Sequence, residues 1–451
     1  MFNLGKILIS ALLVILVAFF ADAIFAKDNL LIQAAVNNLA APKMITFDDQ
    51  GRMLIAESGT GGSGEAKLTR IEKSGAKTTL VAAKAFDTEL PLTAVALYQG
   101  KIYLTHAGTV SLVNDDGSLT NAIEGLPGQG DYPAGQIVFK DGWMYLAVGT
   151  VTNSGVVGAD NLLFGWLKNP DNKLLHDIPC TDISVTNQTF GSPETSPFAE
   201  FRVNGVKDLL GTPYCNGAIL KAKPDGTGLS VYVWGLRDPA GLKLGPDNNL
   251  YVSNHGFEAR GLRPIGNAWD CFYKVTEGAW YGWPDFACDE AVTDPKFLPK
   301  DQPQPQFILK NHPTEFPPQP LAKLNSLSDM AGFVFAQGNW GKPTDVLIAL
   351  GSGKVIKLDT QTGKFQDLLS TSLKHPVDLT FGPHGTLYIT DLGDVQLTKD
   401  GFKVGPNSGV IWKVTQNTSP AKIQISPKWL IFTLIVGLAL VAAYLLRARP
   451  R

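Results

Sequence analysis

One strand phrase returns six times along the 451-residue chain, and a lone hairpin of this kind is only marginally stable in water. Each copy is a turn, a strand of alternating apolar residues and a small or polar exit, at residues 49–56, 99–105, 141–147, 247–253, 343–349 and 383–390. A second alternating strand follows each one, at 67–72, 109–113, 218–222, 271–275, 354–358 and 410–414. Six pairs predict six small sheets packed face to face around an axis, which is how a propeller hides its edges. The expected fold is therefore all-β, a six-bladed β-propeller over residues 38–416. The 46 glycines and 29 prolines suit many short strands joined by turns. Surplus chain falls at 151–214, inside the third repeat, and in a Pro-rich stretch at 301–320, between the fourth and fifth. Long loops on a rigid scaffold commonly build a binding surface.

The two ends carry compartment signals. Lys6 precedes an uncharged run over 7–21, and Ala21, Ala23 and Ala26 offer small residues for a signal peptidase, so 1–26 reads as a signal peptide or an N-terminal anchor. Residues 429–446 are uncharged and flanked by Lys428 and by Arg447, Arg449 and Arg451, the pattern of a transmembrane helix with its tail in the cytoplasm. The body is expected outside the cytoplasm, at the periplasmic or cell surface. A net charge of −2 without a basic block excludes the electrostatic footprint of nucleic-acid binding. Four cysteines permit three pairings. The pattern favours Cys180 with Cys215 and Cys271 with Cys288, because each pair brackets a loop-rich excursion; no Cys-x-x-Cys spacing supports zinc. Asn187-Gln-Thr and Asn417-Thr-Ser match glycosylation acceptors.

From residue 216 to 286 four phrases occur in order: Asn216-Gly-Ala-Ile-Leu-Lys-Ala-Lys-Pro-Asp-Gly, Trp234-Gly-Leu-Arg-Asp-Pro-Ala-Gly-Leu, Asn254-His-Gly-Phe-Glu-Ala-Arg-Gly-Leu-Arg-Pro-Ile and Trp280-Tyr-Gly-Trp-Pro-Asp-Phe. This set resembles the glucose/sorbosone dehydrogenase family, whose propellers hold pyrroloquinoline quinone (PQQ) and calcium over the central channel. The resemblance implies that Arg237 faces the quinone carbonyl and stabilises the charge that grows as hydride arrives. Asp238 stands where the family has an asparagine, beside the cofactor. The calcium-binding backbone oxygens fall at Gly256 and Phe257, with Asp238 and Glu258 near enough to add carboxylates and Ala259 where relatives often carry an acid.

The catalytic set departs from the family. Its general base, a histidine, is matched by Tyr132 in Gln129-Gly-Asp-Tyr-Pro-Ala-Gly. An ordinary tyrosine is only ~0.1% ionised at pH 7 and makes a poor base. The aspartate that orients that base is matched by Thr150. Arginines near the quinone carboxylates are matched by His375, with Val377 at the other position. His255 is the alternative base, weighed against a structural histidine. Arg260 and Arg263 read as an anion site or a clamp between turns, and Trp280, Tyr281 and Trp283 as a sugar platform or blade packing. Three function classes follow: a PQQ-dependent oxidoreductase acting on an aldose or polyol, a catalytically silent propeller binding a carbohydrate or surface partner, and a lactonase-like hydrolase using channel calcium.

Overall fold

The computed structural model of the protein describes residues 30–416 apart from 60–64, 87–90, 164, 169–174, 326–327, 371–372 and 399–400. The expected signal and transmembrane segments and the Asn417 acceptor lie outside these residues. No helix among the described residues is long and apolar enough to cross a membrane. Residues Gln33–Val414 form one compact unit, and the described residues 30–32 and 415–416 group with the termini.

The unit is an all-β propeller of six four-stranded sheets, here blades 1 to 6. Every sixfold phrase forms the second strand of a blade, and its predicted partner forms the third. Ile55 lies opposite Thr69, Leu104 opposite Ser111, Leu146 opposite Leu220, Val252 opposite Tyr273, Ile348 opposite Ile356 and Ile389 opposite Trp412. The innermost strands, Pro42–Phe47, Leu92–Tyr98, Ile137–Lys140, Asp238–Leu244, Met330–Phe335 and Pro376–Phe381, each touch the next around the ring, and the last touches the first. Blade 6 is completed by the strand Leu30–Leu39 beside Gly409–Gln416, so a strand that precedes blade 1 in sequence closes the circle.

Turn chemistry sets the hairpins. Gln99-Gly100 and Asp141-Gly142 both have positive φ in two-residue loops, the backbone that matches strand twist. The alternating residues then meet across blades. Leu54, Leu68 and Leu104 bury between blades 1 and 2, Ile219, Leu242 and Val252 between 3 and 4, and Phe272, Phe333 and Ile348 between 4 and 5. Each such side chain contributes about 1.5–3 kcal/mol on full burial, and none could be covered by its own hairpin.

Both predicted disulfides are present, Cys180–Cys215 and Cys271–Cys288. The Pro-rich stretch 301–320 belongs to blade 4 itself. It links the third strand, Trp269–Lys274, to the outermost strand, Ala322–Asn325, which sequence alternation had not marked. In five blades the innermost strand opens with a register skip, over Lys43, Thr93, Ala240, 331–332 and Val377. Such bulges re-aim side chains where pairing begins, and here they ring one end of the axis.

Candidate functional site at the axial mouth

At that end, blades 3 and 4 bring Tyr132, Arg237, Gly256 and Glu258 together. Arg237 ends the turn before the innermost strand of blade 4, and the side chain of Asn254 accepts its backbone N–H (2.9 Å) and that of Asp238 (3.2 Å). Only 1% of Arg237 is exposed. Its Nε donates to the Asn153 carbonyl (3.1 Å) and its Nη2 to Asn153 Oδ1 (2.9 Å) and to the Tyr132 hydroxyl; Nη1 donates to the Gly256 carbonyl. Glu258 Oε1 lies 3.4 Å from Nη2. The guanidinium also stacks over the Tyr132 ring at 4.2 Å.

Tyr132 donates to Glu258 Oε1 (3.1 Å) and accepts from both Arg237 and Arg260 Nη2, the latter at 2.8 Å. Burial pushes its hydroxyl well above the ordinary tyrosine pKa, against the two guanidiniums that favour ionisation. Tyr132 therefore carries its hydroxyl proton at neutral pH. Burial disfavours charge on Glu258 too, but Arg237 and Arg260 outweigh it and hold the carboxyl down at about 2.

Arg260 is a clamp. It pairs with Asp131 Oδ2 (2.7 Å), Asp160 Oδ2 (2.5 Å) and Glu258, joining the turn before blade 3, the long excursion and the turn of blade 4. Arg263 does the same lower down, through Asp285 (2.9 Å) and the Ser154, Pro284 and Gln306 carbonyls. Trp280, Tyr281 and Trp283 are each 2% exposed and pack within the blades.

His255 faces Asp238 (3.8 Å), Asp270 (3.7 Å) and Asp329 (4.0 Å). Burial alone would lower its pKa, but Asp270 and Asp238, with Asp329, raise it to about 9. With a pKa of about 9, His255 is charged at neutral pH and serves as a donor. Thr150 lies under the site: its N–H donates to the Arg237 carbonyl (2.8 Å), its carbonyl accepts from Tyr132 N–H (3.1 Å), and its hydroxyl turns away to the Thr152 carbonyl (2.6 Å). It orients backbone, and the Tyr132 hydroxyl is oriented by Arg260 and Glu258 instead. His375 stands across the mouth against Asp329 (3.5 Å), its pKa lowered by burial.

Three members of the site carried no recognisable signal in the sequence. Asn153, at the start of the excursion, bonds Arg237 and also donates to the Glu258 (2.8 Å) and Arg260 (3.0 Å) carbonyls. Lys43, at the blade 1 bulge, is half-buried; burial lowers its pKa while Asp238 and Asp329 oppose that shift. Asp329 precedes blade 5. All three lie outside the quoted phrases.

The residues present do not fit calcium. The Gly256 carbonyl is taken by the Arg237 guanidinium, and Glu258 is spent on two arginines. A Cβ on Gly256 would lie 2.0 Å from the Trp269 carbonyl, so this turn is pressed onto blade 4. Among the described residues no group of three His, Cys, Asp or Glu side chains is placed to hold a metal. The Arg237 guanidinium, which the resemblance places at the quinone carbonyl, makes four hydrogen bonds to the protein's own oxygens.

No protein-family model and no curated protein matches the sequence. Solved structures share the fold. A glucose dehydrogenase-type oxidoreductase from Thermus thermophilus aligns over 86% of this chain and 100% of its own, with 19% identity and a TM-score of 0.52. The PQQ-bound aldose sugar dehydrogenase of Streptomyces coelicolor aligns over 86% and 98%, with 16% identity and a TM-score of 0.51. A further glucose dehydrogenase aligns over 85% and 99%, with 15% identity and a TM-score of 0.54. The chain thus has the six-bladed propeller of the sugar dehydrogenases, and its site chemistry has to be argued from its own residues.

Proposed function

We propose that this chain is a sugar dehydrogenase-like propeller whose axial mouth binds an aldose or polyol without quinone turnover. Residues 1–26 would export it and residues 429–446 hold it to a membrane, with the propeller outside the cytoplasm. The observation that carries the reading is the state of the base position. Tyr132 is buried, protonated and fastened by Arg237, Arg260 and Glu258, so no group there takes a hydroxyl proton as hydride departs. Around it, Asp238 and Asp329 offer carboxylate acceptors, their side chains 23% and 42% exposed, and Lys43 and His255 offer donors. Alternating donors and acceptors at a half-open mouth suit a neutral polyhydroxylated ligand.

A second reading, a PQQ-dependent dehydrogenase for an aldose or polyol, is favoured by one observation. Arg237 and the Gly256 turn meet at the axial mouth, and a PQQ-bound sugar dehydrogenase has the same fold. For that chemistry Arg237 would have to leave Tyr132 and Glu258. The test uses the full chain in detergent with a panel of aldoses and polyols, followed by calorimetry and by dye reduction, with and without PQQ and calcium. Sugar binding that is indifferent to PQQ, with no dye reduction, is expected. PQQ-dependent dye reduction would overturn the proposal in favour of the second reading, and absence of any sugar or polyol binding would remove both.

A further inference from the structure

The residues skipped where five innermost strands open onto the mouth are Lys43, Thr93, Ala240, Ala331 with Gly332, and Val377. Lys43 alone among them can ionise. A bulge re-aims the side chain it carries, and Lys43 is aimed across the axis. The charges that act on it are Asp238, on blade 4 opposite, and Asp329, ahead of blade 5, while Lys43 itself acts on His375, ahead of blade 6. None of these is a direct partner: among the described residues the half-buried Lys43 makes no hydrogen bond and no salt bridge. By contrast, Lys243 reaches Asp378 at 3.4 Å and Lys323 reaches Glu290 at 2.6 Å. An amine in a poorly solvated place, with nothing to accept from its ammonium form, gives up a proton more readily than a solvated lysine. Burial does lower the pKa of Lys43, against the opposing pull of the two aspartates. The free amine is a nucleophile toward carbonyl carbon, which is how desolvated lysines form Schiff bases.

We propose that Lys43 condenses with the open-chain aldehyde of an aldose at the axial mouth to give an imine, whereas a polyol, which has no carbonyl, is held there by hydrogen bonds alone. This rests on the reading of the mouth as a site for a neutral polyhydroxylated ligand, and it narrows that ligand to a reducing sugar with a reversible covalent hold. The amine nitrogen bonds to the aldehyde carbon, and one of its protons passes to the former carbonyl oxygen. The second proton leaves with the resulting hydroxyl as water when the carbon–nitrogen double bond forms, and nothing is oxidised or reduced. His375 and Asp329, 3.5 Å apart, are the proton carriers the mouth offers; burial lowers the His375 pKa, so its ring is neutral at neutral pH and able to accept.

The test traps the imine in the native full chain in detergent, so no variant has to fold. The probe is glycolaldehyde, a hydroxyaldehyde too short to close a sugar ring, with cyanoborohydride to reduce any imine to a stable secondary amine. Peptide mapping by mass spectrometry then compares the labelling rate of Lys43 with that of Lys342, whose side chain is 68% exposed. Lys43 should label several-fold faster, and the preference should vanish in urea. Labelling of Lys43 no faster than Lys342 overturns the proposal, and so does a preference that survives in urea, since it would then belong to the local sequence and not to the mouth. Calorimetry with sorbitol separates this from the functional reading. Sorbitol that binds should protect Lys43 and leave Lys342 unprotected; sorbitol that binds without protecting Lys43 overturns the proposal and leaves the mouth reading standing. If no sugar or polyol binds while Lys43 keeps its preference for glycolaldehyde, the functional reading fails and the reactive amine remains.

Discussion

Blades 2 and 3 share one sheet plan but close it differently. In blade 2 the second strand ends at His106 and the third begins opposite it at Thr109, joined by two residues. In blade 3 the equivalent partners are Val148 and Ala218, and all of residues 149–217 hang between them. The sheet tolerates both, because lengthening a loop costs little closure entropy once the flanking strands pair. What changes is what the loop carries. The short turn of blade 2 brings nothing to the axial mouth, whereas the long excursion delivers Asn153 and Asp160 to Arg237 and Arg260 and is stapled by Cys180–Cys215. The ring supplies position and the excursion supplies buried charge.

The most forceful way to break this contrast is Arg260→Ala. Asp131, fully buried, and Asp160 and Glu258, mostly buried, would lose their shared partner. Stranding buried carboxylates should cost about 3–5 kcal/mol, read from urea unfolding of the full chain in detergent. A loss near zero would mean that the excursion is held by its disulfide and core alone.

A somewhat smaller effect is expected from His255→Gln, and its pH dependence identifies it. The folded pKa, about 9, lies above the ordinary value near 6.5. Charge on His255 therefore stabilises the fold fully below about pH 6.5, and that stabilisation fades as pH rises through 9. The variant should be about 3 kcal/mol weaker than native near pH 6 by this linkage, and the gap should close above pH 9. A gap that stays constant with pH would show that the aspartates around His255 do not hold it charged.

The smallest effect belongs to a regular blade. In blade 1, Arg52 pairs with Asp48 (2.7 Å) and Glu72 (3.6 Å) at the rim of a hairpin. Partly exposed pairs of this kind are worth under about 1 kcal/mol, so Arg52→Ala should barely shift the urea midpoint. A cost equal to that of Arg260→Ala would erase the distinction between ring and excursion.

Much of the ring was legible. The phrase strands were visible because a half-buried strand alternates with period two, and that pattern needs no knowledge of the rest of the chain. The innermost strands were harder to see. Asp238-Pro-Ala-Gly and Pro376-Val-Asp begin with bulges, Pro and polar residues, which interrupt alternation where the strands meet the mouth. Of the site, Arg237, Tyr132 and the Gly256 turn were placed by their surrounding phrases. Asn153, Lys43 and Asp329 were not, since a lone Asn, Lys or Asp in a loop looks like any solvated residue.

The sequence by itself determined six strand pairs, hence six blades, because alternation and turn residues are local quantities, and it favoured the disulfide pairing that the structure then selected from three. Only the tertiary structure decided what the mouth residues do. The charge states of Tyr132, His255 and Glu258 depend on burial and on partners brought from distant segments; Tyr132 meets Arg237 across 105 positions and Glu258 across 126. Desolvation and Coulomb interaction act through space, and no spacing along the chain records them.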